Sequence, residues 1–438
     1  MSDAPVIVVV GGGAGGLELV TRLGRSLGKK GLARIILVDG HRYHLWKPLL
    51  HELAAGTIDP GSEAIRYHLH ALKNHFEFVH ARMVGLDRQA RQLMLSAFLG
   101  EGGVELLPER PLHYDHLVIA VGSVCNDFGI PGIKEHCLFL DTAAAAERLQ
   151  SLLQAYGMKA NMAQITGSNN PQDFHLNVAI VGGGATGVEL SAELQNVLLR
   201  AQQAGYKLRA DALDTTLIET APRILQMLPE SISSAATKGL QDAGVKVRTG
   251  VKVREATAQG FVTDQGELIE AELRIWSAGV KCEDYMKGLG GLETTGNNQL
   301  VMNADLRTSR DSHIWALGDC AYVQMADGSV SPARAAAAHQ MASVVYRNLR
   351  RVLSGEPTQA YVYKEMGSLI NLSQYKTLGS LIGLFSANPL LVEGRIARLM
   401  YVSLYRMHQA ACFGIPRTIL RILIDRLDLL FKGGLKLH

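Results

Sequence analysis

Val6-Ile7-Val8-Val9-Val10-Gly11-Gly12-Gly13-Ala14-Gly15-Gly16 decides the fold of this chain. A short β-branched run meets a glycine turn and opens into a helical pattern. In that order, G-x-G-x-x-G points to a dinucleotide. Val178-Ala179-Ile180-Val181-Gly182-Gly183-Gly184-Ala185-Thr186-Gly187 repeats the unit about one domain-length later. Gly11 and Gly182 permit the tight strand-to-helix turn, and Gly13 and Gly184 let the backbone approach a pyrophosphate. Gly16 and Gly187 allow helix and strand to pack closely, with the helix N-terminus facing the phosphate charge. Two boxes in one chain imply two dinucleotides that meet and exchange electrons.

Such a unit calls for a carboxylate at the end of its second strand, to receive ribose hydroxyls. Ile35-Ile36-Leu37-Val38-Asp39 ends in Asp39, and Thr216-Leu217-Ile218-Glu219 ends in Glu219. Two later strands, each with glycine at its exit, read as the closing strands of these units: Leu117 to Gly122 and Ile275 to Gly279. A third short strand runs into Gly318-Asp319. The expected class is therefore α/β, with two Rossmann-like dinucleotide-binding domains, the second inserted in a split first. Residues near 1–140 and 281–345 form a split first domain. Residues 141–280 form an inserted second domain, and 346–438 a C-terminal region. The stretch Gly157 to Asp173, rich in Asn, Ser, Gly and Gln, reads as a surface connection.

The 438 residues carry 44 Lys and Arg against 41 Asp and Glu, a formal charge of +3, so nothing argues for nucleic acid. Five cysteines lie without C-x-x-C spacing and read as reduced thiols. The histidines at 41, 44, 51, 68, 70, 75 and 80 lack metal-ligand spacing and read as surface or hydrogen-bonded residues, so no metal is expected. No apolar run reaches the roughly 18 residues of a spanning helix, and no leader is read before the first strand. The last sixty residues differ: Arg395, Arg398, Arg406, Arg417, Arg421, Arg426, Lys432 and Lys436 outnumber the acids around a wide apolar arc. That pattern suits an anionic membrane surface, with a dimer-interface or core-packing helix as the alternative.

Three stretches resemble the type II NADH dehydrogenases of bacteria, within the two-dinucleotide flavoprotein superfamily. They are His44-Leu45-Trp46-Lys47-Pro48-Leu49-Leu50-His51, Val181 to Glu193, and Arg334-Ala335-Ala336-Ala337-Ala338-His339-Gln340-Met341-Ala342. The tail from Gly394 to Gln409 and the terminal Leu435 to His438 are similar to the proteobacterial respiratory members. The resemblance implies FAD in the first domain, held by Gly11, Gly13, Gly16 and Asp39, with Gly318 and Asp319 by its pyrophosphate and ribityl chain. It implies NADH in the second, held by Gly182, Gly184, Gly187 and Glu219. Gly122 and Gly279 join the cofactor-lining positions. Glu189 matches the glutamate at the flavin–nicotinamide junction, and Gln340 a residue of the quinone-side motif; these two are the catalytic candidates.

A quinone, either ubiquinone or menaquinone, is the implied acceptor. The implied setting is peripheral, on the cytoplasmic face of a bacterial inner membrane, without proton pumping and with a homodimer expected. Glu219 should favour NADH over NADPH, with Arg223 softening the preference, and His339 should lie near the acceptor site. Ala336 departs from the family pattern, which has Gln there, and removes an amide from the acceptor side. No cysteine occupies Trp46 to His51, which argues against disulfide chemistry, and Cys125 and Cys282 read as packing residues. A soluble NADH oxidase or diaphorase and a flavoprotein NADH sensor or scaffold stay open as alternatives.

Overall fold

Val6–Val10 lies inside a six-stranded sheet ordered Arg307–Thr308, Asp311–Ala316, His116–Ile119, Val6–Val10, Arg34–Asp39, Glu77–His80. Every pairing is parallel except the outermost, Arg307–Thr308 with Asp311–Ala316. Ile7, Val8 and Val9 are fully buried. A parallel strand covered on both faces demands such an unbroken apolar run. This computed structural model describes residues 4–58, 60–166, 175–203, 208–209, 211–365, 368–372, 376–381, 390–393 and 395–431.

The second box opens a five-stranded parallel sheet ordered Leu138–Phe139, Leu273–Trp276, Leu176–Val181, Leu213–Glu219, Lys246–Thr249. In the chain it falls between His116–Ile119 and Asp311–Ala316, neighbouring strands of the first sheet. Its edge strand begins at Leu138, a little before the expected boundary at 141.

One expectation is corrected. The stretch read as a connection from Gly157 is helical as far as Thr166, inside the helix Ala143–Thr166. Ala, Leu, Gln and Arg dominate its first half, and Thr142 caps it by accepting the N–H of Ala145 at 3.2 Å. That stretch outweighs one interior glycine, which costs about 1 kcal/mol. Residues 167–173 lie outside the described residues.

The C-terminal region holds an antiparallel three-stranded sheet, Ser368–Leu372, Lys376–Leu381 and Leu390–Glu393, that the sequence did not lead us to expect. Two helices follow, Arg395–Phe413 and Ile415–Phe431, broken at Gly414 with φ +85°. Arg25 of the first-box helix (Ala14–Ser26) binds the end of the former, donating to the carbonyls of Ala411 at 3.3 Å and Cys412 at 2.6 Å. On the last helix Ile415, Ile419, Leu420, Leu423, Ile424 and Leu427 are exposed and spaced as one stripe. Lys432, Lys436 and Leu435 to His438 lie outside the described residues. Among the described residues no helix is long and apolar enough to cross a membrane.

Candidate active site

The two boxes fold into matching cradles. Gly11 has φ +97°, and a Cβ there would sit 2.4 Å from the Ala120 carbonyl oxygen. Its counterpart Gly182 has φ +118°, with Ala278 N at 2.8 Å. A Cβ on Gly16 would meet the Gly11 oxygen at 1.9 Å, and one on Gly187 the Gly182 oxygen at 2.0 Å. Gly13 and Gly184 are different: nothing lies within 4 Å of a Cβ placed on either. Gly13 also begins its helix with no side-chain cap, so the first N–H groups face that open space. An open, electropositive cradle fits a pyrophosphate.

Each cradle is closed by its acid. Gly12 N–H donates to Asp39 Oδ2 and Gly183 N–H to Glu219 Oε2, both at 2.6 Å. Burial pushes the Asp39 carboxyl up, but hydrogen bonds from His41 and Gly12 outweigh it and hold the group below the usual carboxylate range. Glu219 Oε1 also accepts Ala221 N–H at 2.8 Å. Arg223 turns away from this edge: its guanidinium donates to the carbonyls of Leu225, Gln226 and Leu228, bracing that loop.

Beyond the first cradle, Gly122 and Gly318 adopt φ +73° and +75°. Ser123 Oγ donates to Asp319 Oδ2 at 2.7 Å, and Lys47 Nζ to the Ser123 carbonyl at 2.6 Å. Lys47 of the Trp46–His51 stretch and Asp319 from late in the chain thus meet at one spot. Gly279, at φ +64°, lies under the Phe128 ring. Burial raises the Cys125 and Cys282 thiols well above their ordinary range, which leaves no thiolate there for disulfide chemistry.

Glu189 sits in the second-box helix Ala185–Gln203 and is buried. Its Oε1 accepts Asn371 N–H at 2.9 Å. Burial pushes its carboxyl up to about 8, helped by Glu52 and Glu193 and opposed by the Asn371 bond, so it holds a proton at neutral pH. His51 Nδ1 lies 3.6 Å from Glu189 Oε2, and its Nε2 is 3.8 Å from Glu52 Oε1.

Gln340 is half-buried on the helix Ala335–Leu353 and holds Lys364 with both ends of its amide, at 2.9 and 3.0 Å. The ring of His339 turns to the first-box helix: its Nδ1 meets Glu18 Oε2 at 2.5 Å. Glu18 is almost fully buried and also meets His408 Nδ1 at 2.8 Å. His408 Nε2 lies 3.0 Å from His44 Nε2, and His44 Nδ1 donates to the Gly12 carbonyl at 2.9 Å. Burial drives His44 down to about 3, so it is neutral and its Nε2 accepts from His408. His44, His51 and His70, among the histidines that the sequence reads as surface or hydrogen-bonded, are each hydrogen-bonded. His44, His51, His70 and His408 are buried.

Comparison with known proteins fits this geometry. The family described as Pyridine nucleotide-disulphide oxidoreductase matches residues 5–342. The chain is 39% identical to the type II NADH:quinone oxidoreductase of Haemophilus influenzae, over 99% of both chains. It is 26% identical to the type II NADH:quinone oxidoreductase of Staphylococcus aureus, over 87% of this chain and 90% of that one. Among solved structures it resembles NDH2 from Plasmodium falciparum in complex with NADH, with TM-score 0.79 and 17% identity, covering 99% of this chain and 100% of that one.

Proposed function

The chain belongs to the type II NADH:quinone oxidoreductases of the pyridine nucleotide-disulphide oxidoreductase family, and on that premise we propose how its residues share the work. It oxidises NADH, with FAD as its cofactor and quinone as the acceptor. When bound, FAD supplies the two-electron chemistry between nicotinamide and quinone. The observation that carries the assignment of roles is the equivalence of the two acid-closed cradles.

Gly11, Gly13, Gly16 and Asp39 hold the adenosine half of FAD. Gly122, Gly318 and Asp319 line its pyrophosphate and ribityl chain, with Ser123 and Lys47 fixing the Asp319 carboxylate. Gly182, Gly184, Gly187 and Glu219 hold NADH, and Gly279 lines the junction between the two sites. The Glu219 carboxylate accepts the 2′-hydroxyl and repels a 2′-phosphate. Because the guanidinium of Arg223 faces the loop 225–228, it does not offset that repulsion. Glu189 keeps a proton at the flavin–nicotinamide junction, ready for the reduced quinone. Gln340 orders Lys364 beside it, and Ala336 leaves room where a second amide would stand.

Residues 1–140 with 281–345, and 141–280, act as the two nucleotide domains; 346–438 carries the protein to its membrane. The exposed stripe on the last helix supports binding to the surface of a bacterial inner membrane, on its cytoplasmic face, as a homodimer. The acceptor is then a membrane ubiquinone or menaquinone. Anaerobic mixing with NADH should bleach the flavin absorbance, and a short-chain ubiquinone or menaquinone should restore it; bleaching without recovery would refute the acceptor-side roles. The protein should also pellet with anionic liposomes, and Leu420→Glu should weaken this without touching NADH turnover with a soluble acceptor.

A further inference from the structure

Reducing a quinone with NADH consumes one proton from solution at each turnover: NADH, quinone and a proton give NAD⁺ and quinol. A protonated carboxyl that gives up this proton must be refilled. Glu189 is nearly closed off, with its side chain only 8% exposed, so water does not reach it freely. The refilling path must run through the protein.

His51 stands in that path. It belongs to the short helix Leu50–Ala54, which packs against both the second-box helix and the helix Ala143–Thr166. Its ring is buried, its side chain 3% exposed. One nitrogen is engaged by the Pro48 carbonyl, while Nε2 has no hydrogen-bond partner among the described residues. The bonded nitrogen is therefore Nδ1, and it carries the proton, because a carbonyl only accepts. Nε2 is left as a buried lone pair. A buried polar atom without a partner is costly, about 1–3 kcal/mol, and calls for an explanation.

The surroundings supply one. Nδ1 is 3.6 Å from Glu189 Oε2, and Nε2 is 3.8 Å from Glu52 Oε1. Both gaps exceed hydrogen-bond reach by only about 0.5 Å. Glu52 is 20% exposed and so open to water. Three groups lead from the surface to the interior with donor and acceptor in the right order. Glu193, buried on the same face of the second-box helix, adds negative charge that favours a proton on the ring.

We propose that His51 is a positioning residue that relays protons from Glu52 to Glu189 through its two ring nitrogens. This deepens the reading of Glu189 as the proton store and rests on it. After Glu189 has given its proton to the reduced quinone, Nε2 takes a proton from the Glu52 carboxyl and Nδ1–H passes to Glu189 Oε2. Water then reprotonates Glu52, and the ring loses its Nε2 proton to water and gains one from water at Nδ1, which returns it to the tautomer bonded to Pro48. One proton leaves solution, one arrives at Glu189, and no electrons move in the relay. Burial holds His51 down to about 4, below Glu189 at about 8, so the final transfer is downhill.

The test uses the flavin-loaded protein with His51→Gln, Glu52→Gln and Glu189→Gln. Ferricyanide takes electrons without protons, whereas a short-chain ubiquinone needs both. In H51Q and E52Q, reoxidation by ubiquinone should slow about 10- to 100-fold, with a larger solvent deuterium effect. Ferricyanide turnover should stay within about twofold of wild type, which also reports an intact fold. An infrared pH-jump reads the carboxyl itself. The protonated C=O band missing in E189Q should respond at least about ten times more slowly in H51Q. Equal losses with both acceptors, or no loss in H51Q while E189Q is slow, would overturn the relay and leave Glu189 in its role. An unaffected ubiquinone rate in E189Q would overturn the reading of Glu189 itself.

Discussion

Glu18→Gln should loosen the helix Arg395–Phe413 from the first-box helix. Glu18 is 1% exposed and joins His408, equally buried, at 2.8 Å, and His339, 34% exposed, at 2.5 Å. It thereby ties the first-box helix to two others, Ala335–Leu353 and Arg395–Phe413. The buried, charge-assisted link to His408 contributes about 2–3 kcal/mol, and the partly exposed link to His339 less than about 1 kcal/mol after solvent screening. Glutamine keeps the shape and loses the charge, so about 3 kcal/mol disappears. At 1.36 kcal/mol per tenfold, the helix Arg395–Phe413 should open roughly 150 times more often. Hydrogen exchange of its amides reads this directly as lost protection.

The pH dependence has a definite sign. Burial raises Glu18, but bonds and charges from His339 and His408 outweigh it and lower it below 4.5. That stability is present above 4.5 and lost as pH falls through the lowered value. His339 is raised above 6.5 by its bond to Glu18, against burial, so its share is present below 6.5 and lost as pH climbs through the raised value. Protection of the wild-type helix should therefore peak between about pH 4.5 and 6.5. Unchanged exchange in E18Q, or protection in the wild type that ignores pH, would refute the reasoning.

Three further outcomes follow from the site. Gly16→Ala places a methyl 1.9 Å from the Gly11 carbonyl oxygen, a backbone clash of at least about 3 kcal/mol, so the purified protein should lack flavin absorbance. Glu189 is raised from 4.5 to about 8, so folding stability falls as pH rises between those values; Glu189→Gln should flatten that decline by roughly 3 kcal/mol at pH 7, seen in denaturant unfolding at several pH values. Glu219→Gln removes the charge that repels a 2′-phosphate, and the ratio of kcat/KM for NADH over NADPH should drop about tenfold in steady-state assays.

The glycine cradles were legible because their logic is local. A turn that needs positive φ, a helix that crowds it and an acid one strand away all lie within some forty residues, as the spacings of 27 and 36 between acid and glycine N–H attest. Fold class followed from those units. The histidine–glutamate contacts were not legible, because they are made by packing: Glu18 and His408 are 390 positions apart, and His44 and His408 are 364 apart. A single buried histidine leaves no period in a sequence. The helix running through Gly157 was hidden by loop-like composition near its end, although the Ala- and Leu-rich start was a usable signal. The strands Ser368–Leu372 and Lys376–Leu381 alternate apolar and polar residues weakly, and the basic helices beyond them drew the reading instead.

The interrupted first sheet has a consequence for the order of synthesis. Ile119 is fully buried, flanked by Val10 on one side and Ala316 on the other, and the Cys320 thiol donates to its carbonyl from 201 positions away. On a ribosome adding about 5–20 residues each second, that edge stays bare for roughly 10–40 s while the whole inserted unit is made. A parallel strand edge left open so long is a template for wrong pairing. The inserted unit, by contrast, has all five of its strands once Trp276 emerges and can fold first. The sheet begun at Val6 is thus completed only after the inserted one, and the nascent protein depends on its insert folding promptly.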